Sequence, residues 1–169
     1  MQNIESSLDP IKQNNKLAIC LISPTFGQVS PEIKANYGLT HSKPYYFFLF
    51  MREGYSTQGV DLETFEVRAN ELLFIVPHQI HQLPATRHDT NYFKIGFDDH
   101  CLSLLPRQYP FLINPYNNQK LKFAPPTAKR LTSIFEALAD LLKTMDTDPD
   151  LILAHLNSLL TEINAAYFL

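Results

Sequence analysis

The sequence has few of the residues that mark disulfide-rich, membrane-spanning or highly charged proteins. Its 169 residues include no tryptophan, only two cysteines and five glycines, and 18% of them are charged. Nothing in the spacing of Cys20 and Cys101 suggests a disulfide framework or a zinc site, so we expect reduced thiols. The N-terminal segment lacks the apolar stretch of a signal peptide, which favours a cytoplasmic protein.

Long apolar runs and clusters of basic residues are also missing. The longest apolar run, at 45–51, is far shorter than the roughly 20 residues that a membrane-spanning helix needs, so we expect no contact with a membrane. The 14 Lys and Arg residues are outnumbered by 17 Asp and Glu residues and are scattered along the chain. Because DNA binding depends on clustered cations, the chain alone is not expected to bind DNA.

Hydrophobic residues make up 45% of the chain, which is typical of one globular domain with an ordinary core. The twelve prolines against five glycines are an unusual balance for a chain with many turns. Turns that require a positive φ must then use Asn, Asp or His, which tolerate that conformation better than other residues with side chains.

Short runs of strand-forming residues fill the chain up to about Pro125, and their close spacing predicts an antiparallel sandwich or barrel. The predicted strands are 17–23, 45–52, 64–67, 71–75, 79–83 and 92–97. The run 45–51 is apolar without alternation, which indicates a central strand with apolar surroundings on both faces. The segment 53–59 is predicted as a turn, and 101–115 has no clear period and stays unassigned.

Two helical patterns follow, so we divide the chain into a barrel with an N-terminal arm at 1–124 and a helical pair at 125–169, packed as one unit. The first helix is predicted at 128–145, with Thr127 as its N-cap. The second is predicted from the N-cap Asp148, with Pro149 at the first helical position. Its apolar stripe is wider than one neighbour would cover, which predicts a homodimer contact through Ile152, Leu156, Leu159, Ile163 and Tyr167.

The histidines of the strand-rich part fall in two segments with distinctive spacing. One set of positions is His41, Lys43, Phe47 and Gly54, and the other is Asn70, Val76, His78 and His81. This spacing resembles that of the two motifs of the cupin superfamily. The resemblance implies a mainly β fold, a cupin-like jelly-roll β-barrel, followed here by the two-helix dimerisation unit.

The metal ligands of the cupin motifs are only partly kept in this sequence. Two of the four ligand positions hold His41 and His81, but Lys43 would repel a cation and Phe47 has no donor atom. We therefore predict no metal and no cofactor. A small metal-dependent cupin enzyme, either an isomerase or a dioxygenase, is the alternative function.

Residues 65–81, the strand at 92–97 and the helix pair together resemble the N-terminal sensing and dimerisation domain of the AraC family of transcription regulators. The most specific stretch is Leu-Leu-Phe-Ile-Val-Pro-His-Gln-Ile-His at 72–81. The resemblance implies a non-catalytic domain that senses a small-molecule effector and forms homodimers. Members of this family continue into helix-turn-helix units, so we expect DNA contact only through such a region, which is not present in the chain up to Leu169.

The effector pocket is expected inside the barrel. The motif register predicts that Tyr45, Phe47, Leu49 and Met51 face the interior, whereas Tyr46, Phe48 and Phe50 pack outward against another layer. The predicted ligand contacts are Phe47, Leu49, His81, Tyr92, Lys94 and His41. In the alternative, His81 only forms a local hydrogen bond and Lys94 is solvated on the outer face. A third hypothesis is a purely structural dimerisation domain with a filled barrel.

Overall fold

A computed structural model of the chain describes residues 11–28, 40–42, 44–82, 89–113 and 118–169, with the backbone alone at 40–42. The strands of this part are β1 (Ile19–Ile22), β2 (Thr40–Ser42), β3 (Tyr45–Glu53), β4 (Tyr55–Val60), β5 (Glu63–Arg68), β6 (Glu71–Ile75), β7 (Ile80–Gln82), β8 (Asn91–Asp98) and β9 (Lys120–Lys122). The helices are α1 (Asp99–Ser103), a single 3-10 turn (Pro110–Leu112), α2 (Pro125–Leu141) and α3 (Pro149–Tyr167). None of the described helices is long and apolar enough to cross a membrane.

The strands pair into two antiparallel sheets. One sheet has the order β1-β8-β3-β6-β9 and the other the order β2-β7-β4-β5. This is the jelly-roll-like arrangement that the motifs predicted, but no strand pairing within the described residues joins the two sheets into a closed barrel. The predicted mainly β jelly roll with C-terminal helices is confirmed, as two facing sheets in the part of the chain that the structure describes.

Strand β3 lies in the middle of the five-stranded sheet, as its unbroken apolar run predicted. Its side chains alternate between two cores because successive residues of a strand point to opposite faces. Phe48 and Phe50 belong to the core beneath the helices, whereas Leu49 and Met51 belong to the core between the sheets. The predicted orientation of these four residues is confirmed.

The helices cover the outer face of the five-stranded sheet through a column of aromatic rings. Phe135 of α2 lies between Phe50 and Phe93, with ring centroids 5.7 Å and 5.0 Å away and interplanar angles of 9° and 4°. Stacked aromatic pairs of this kind add specific geometry to the burial of apolar surface. The column fixes α2 against the centre of the sheet.

Several predicted boundaries are wrong, for local reasons. The segment predicted as a turn at 53–59 contains β4, because only Gly54, with a φ of 83°, makes the sharp bend. Helix α2 begins at Pro125 instead of Ala128, since proline is well suited to the first helical turn. Its N-cap is Ala124, so Thr127 is not the cap. The unassigned segment holds the end of α1 and the 3-10 turn.

Helix α3 starts as predicted, because the Asp148 side chain accepts a hydrogen bond of 2.9 Å from the N–H of Asp150. Its apolar stripe, however, is not on the surface. Four of the predicted dimer residues have no exposed area within a single chain, namely Ile152, Leu156, Leu159 and Ile163. Tyr167 is half-buried and its ring centroid lies 6.0 Å from that of Phe111. The four buried side chains fill the core beneath the sheet and leave no surface for a second copy, whereas Tyr167 is partly accessible.

Candidate functional site

The space between the two sheets holds several of the predicted ligand-contact residues. Phe47 of β3 and His81 of β7 face each other across it, with ring centroids 5.1 Å apart. Leu49 lies on the same face of β3 and is buried. The structure therefore brings Phe47, Leu49 and His81 together, as the motif spacing predicted.

His81 is 3% exposed and is held by Gln58 of β4, whose Oε1 lies 2.8 Å from the Nε2 atom of the histidine. Because an amide oxygen only accepts hydrogen bonds, Nε2 of His81 is the donor. Gln58 is also buried, and its amide nitrogen donates to the hydroxyl of Ser56 over 2.6 Å. A short chain of polar side chains thus runs along the inner face of the four-stranded sheet, from His81 of β7 to Ser56 of β4.

Sequence reasoning missed Gln58 and Ser56 because they lie in the segment predicted as a turn. The alternation typical of a strand is present here, because Ser56, Gln58 and Val60 are less exposed than Tyr55 and Thr57. Two glycines near this polar segment concealed a strand that pairs with β5 along its whole length. Strand period and turn composition gave conflicting predictions here, and strand pairing prevailed.

Tyr92 and Lys94 lie on the inward face of β8, which is the face opposite to the helices. Their neighbours Phe93 and Ile95 point into the helical core, so alternation turns Tyr92 and Lys94 inward. The ammonium nitrogen of Lys94 lies 5.0 Å from the centroid of the Tyr92 ring, a cation–π contact. The alternative of a solvated Lys94 on the outer face is wrong.

His41 lies in β2, where its backbone pairs directly with His81. The side chain of His41 and all of Lys43 lie outside the described residues, so the predicted ligand role of His41 stays a prediction. The two histidine positions of the cupin-like motifs are nevertheless cross-strand neighbours, as a shared site requires.

Cys20 lies at the end of the same interior, in a small cluster with Tyr45 and next to Phe47. Burial raises the pKa of the Cys20 thiol to about 12, because the charged thiolate is poorly solvated there. At neutral pH this thiol is protonated and behaves as a small apolar side chain. It forms part of the wall and is not a nucleophile.

The donor atoms of this interior do not fit a bound metal ion. No group of three or more His, Cys, Asp or Glu side chains that could hold a metal occurs in the described part of the chain. Phe47 offers no donor atom, so the described side chains of this interior supply too few ligands for a metal ion.

A second concave surface lies on the outer side of the helix pair. This groove has a volume of about 620 Å³ and is lined by Lys129, Arg130, Ser133 and Ile134 of α2 and by Asn157, Ser158, Thr161 and Glu162 of α3. Arg130 and Glu162 form a bidentate ion pair across it, with distances of 2.6 Å and 3.1 Å. We call this surface the α2–α3 groove.

The geometry defines a class: a jelly roll of two facing sheets with a helix pair packed on one of them. Solved structures with a similar fold include an apo variant of ToxT from Vibrio cholerae, at a TM-score of 0.51 and 9% identity, with 93% of this chain and 59% of that chain covered. The AraC-like transcriptional activator CuxR matches at a TM-score of 0.47 and 13% identity, over 89% of this chain and 62% of that one. A cupin protein from Bacteroides fragilis matches at 0.34 and 22% identity, over 53% and 69%.

At 9% identity the match to the ToxT variant shows a shared fold alone. The chain spans about three fifths of the length of the two regulators. No protein-family model and no curated protein matches the sequence.

Proposed function

We propose that the chain is the effector-sensing and dimerisation domain of an AraC-type transcription regulator. A small molecule binds between the sheets, no metal takes part, and the domain carries out no catalysis. DNA is contacted through a helix-turn-helix region outside this chain, and the regulator acts in the cytoplasm.

The two faces of β3 are the observation that carries this proposal. On one face, Phe47 and Leu49 border the polar interior with His81. On the other face, Phe50 stacks on Phe135 of α2. Because protein interiors are close-packed, a molecule that displaces side chains on the inner face shifts the strand against the helices. One strand therefore connects the effector site to the helix pair.

The α2–α3 groove is the surface that we assign to the dimer, in place of the buried stripe of α3. It lies on the outer side of both helices, carries both charge signs and contains the half-buried Ile134. A two-fold axis places the same groove on each copy, so that Lys129 and Arg130 of one copy lie near Glu162 of the other.

Sedimentation equilibrium of the purified chain tests the dimer. Ser158→Arg puts a long charged side chain on the groove wall, and we expect it to shift a dimer toward a folded monomer. Ser103→Arg makes the same chemical change at an exposed site at the end of α1 and should leave the dimer intact. A monomer at high micromolar wild-type concentration, or equal dimerisation of both variants, contradicts the assignment.

Elemental analysis separates the proposal from the metal-enzyme alternative. The chain is expressed with zinc, iron and manganese in the medium and dialysed. We expect far less than one metal per chain, because Phe47 has no donor atom and the described residues contain no group of three or more side chains that could hold a metal. Retention of about one ion per chain would contradict the metal-free site and favour an enzyme.

A further inference from the structure

The side chains that lie between the two sheets are buried to different extents on the two sides of β3. On the β3–β6 side, Leu49, Met51, Leu73 and Ile75 are all at most 4% exposed. On the β1–β8 side, the inward-facing residues Ile22, Tyr92 and Lys94 are only half-buried, and so is Phe47 of β3. The accessible part of the interior therefore lies along β8, away from the packed cluster.

Lys94 gives this accessible part its charge. Among the described residues that face inward from β1, β3, β6 and β8, it is the one lysine or arginine. Lys120 of β9, which the register also turns inward beside Leu73, is ion-paired with Glu71 over 3.2 Å at the opposite edge of the sheet. Arg52 of β3 lies on the other face, with its guanidinium 5.6 Å from the centroid of the Phe93 ring. The register pairs Lys94 with Leu49 and Tyr92 with Met51, so the ammonium group emerges directly beside apolar side chains.

We propose that the effector is a small organic anion with an apolar body. Its anionic group binds the Nζ of Lys94, and its apolar part lies on Leu49 and Phe47 toward His81. A half-buried ammonium group forms stronger hydrogen bonds with an anion than with a neutral group, because the low local dielectric strengthens the attraction. The inference rests on the proposed function only in assuming that an effector binds between the sheets.

Two fluorescent probes of the same shape test the charge requirement. Anilinonaphthalene sulfonate is anionic and N-phenyl naphthylamine is neutral, and both fluoresce when they enter an apolar site. Titrations use the wild-type chain and the Lys94→Met, Lys94→Arg and Lys122→Met variants. Lys122→Met is the matched control, since it removes the charge of an exposed lysine in β9.

We expect Lys94→Met to weaken sulfonate binding about tenfold or more, the loss typical of one charge-assisted hydrogen bond. Binding of the neutral probe should change by less than about twofold, and Lys122→Met should leave both affinities unchanged. Lys94→Arg should retain most of the sulfonate affinity, and it keeps the test valid if the methionine variant fails to fold.

Equal sulfonate affinity in the wild-type and Lys94→Met chains, with the neutral probe still bound, overturns the anion requirement and leaves the effector site standing. If neither probe binds the wild-type chain, the interior is filled. That result overturns both this inference and the effector part of the proposed function.

Discussion

In the part of the chain that the structure describes, three residues with side chains hold the backbone at positive φ: Asp61 at 54°, Asn70 at 64° and His78 at 72°. They are of the three residue types that the low glycine content predicted for such turns. Asp61 also gains from its carboxylate, which accepts hydrogen bonds from the N–H of Ile80 and the amide of Gln79. Local hydrogen bonding of this kind makes the left-handed conformation acceptable.

The turn before β6 tests this account. The N–H of Asn70 donates to the carbonyl of Met51, and its carbonyl accepts from the N–H of Phe123, so the turn cannot easily change conformation. We expect Asn70→Ala to lower the free energy of unfolding by about 1 kcal/mol, because alanine is disfavoured at positive φ. Asn70→Gly should be neutral or stabilising.

Urea denaturation of the two variants measures the difference, with Ala69→Gly as the control for a glycine added at the neighbouring turn position. Equal destabilisation by Asn70→Ala and Asn70→Gly would show that the Asn70 side chain matters for a reason other than φ.

Both cysteines are buried, and burial raises the pKa of each thiol to about 12. The thiolate is the reactive form, so at pH 8 neither Cys20 nor Cys101 should react with a disulfide reagent in the folded chain. In denaturant, two thiols per chain should react rapidly. Fast reaction of one thiol in the folded state would show that one of these sites opens readily.

The two long helices begin in different ways, and only one beginning depends on a side chain. Asp148 caps α3 through the N–H of Asp150, whereas α2 begins after Ala124 with prolines in its first turn. Thr127 is already inside α2, where its hydroxyl accepts a hydrogen bond from Arg130 on the exposed surface.

Substitution of the two predicted caps separates these cases. Asp148→Ala should lower the free energy of unfolding by about 1 kcal/mol, because one N–H of the first turn loses its acceptor. Thr127→Ala, the comparison variant, should stay within about 0.5 kcal/mol of the wild type. Thermal unfolding followed by circular dichroism measures both, and a larger effect at Thr127 would contradict the assigned start of α2.

At the scale of the whole molecule, the wide apolar stripe of α3 packs into the core of its own chain. The core beneath the five-stranded sheet includes Leu156 and Ile163 together with Phe97 and Leu131. Tyr109, Phe111 and Leu112 also join this core, and the hydroxyl of Tyr109 is hydrogen-bonded to Asn157 of α3. This unpredicted layer covers part of the stripe that a second copy was expected to cover.

Two leucines of the same helix test this arrangement. Leu156→Ala should lower the free energy of unfolding by about 2 to 5 kcal/mol, because it leaves a cavity in a close-packed core. Leu151→Ala changes a leucine that is 50% exposed and should cost about 0.5 kcal/mol or less. Urea denaturation and sedimentation are measured together. Dissociation of a dimer by Leu156→Ala without loss of stability would restore the stripe to an interface.

The sequence by itself determined the features that depend on local chemistry and period. These are the central strand β3 with its two apolar faces, the capped start of α3, the non-glycine turn residues and the motif spacing that placed Phe47 opposite His81. The first three follow from side-chain period, capping or φ preference within a few residues, whereas the juxtaposition of Phe47 and His81 was predicted from the resemblance to the cupin motifs.

Only the tertiary structure decided which partner each surface finds. The polar segment with Gln58 becomes β4 because β5 and β7 provide hydrogen bonds on both of its sides. The stripe of α3 turns inward because an aperiodic segment at 109–112 and the sheet together cover it. Lys94 faces the interior because its alternation with Phe93 and Ile95 is fixed by the helices on the other side. Such outcomes depend on contacts between residues far apart in the chain, which the local sequence pattern does not encode.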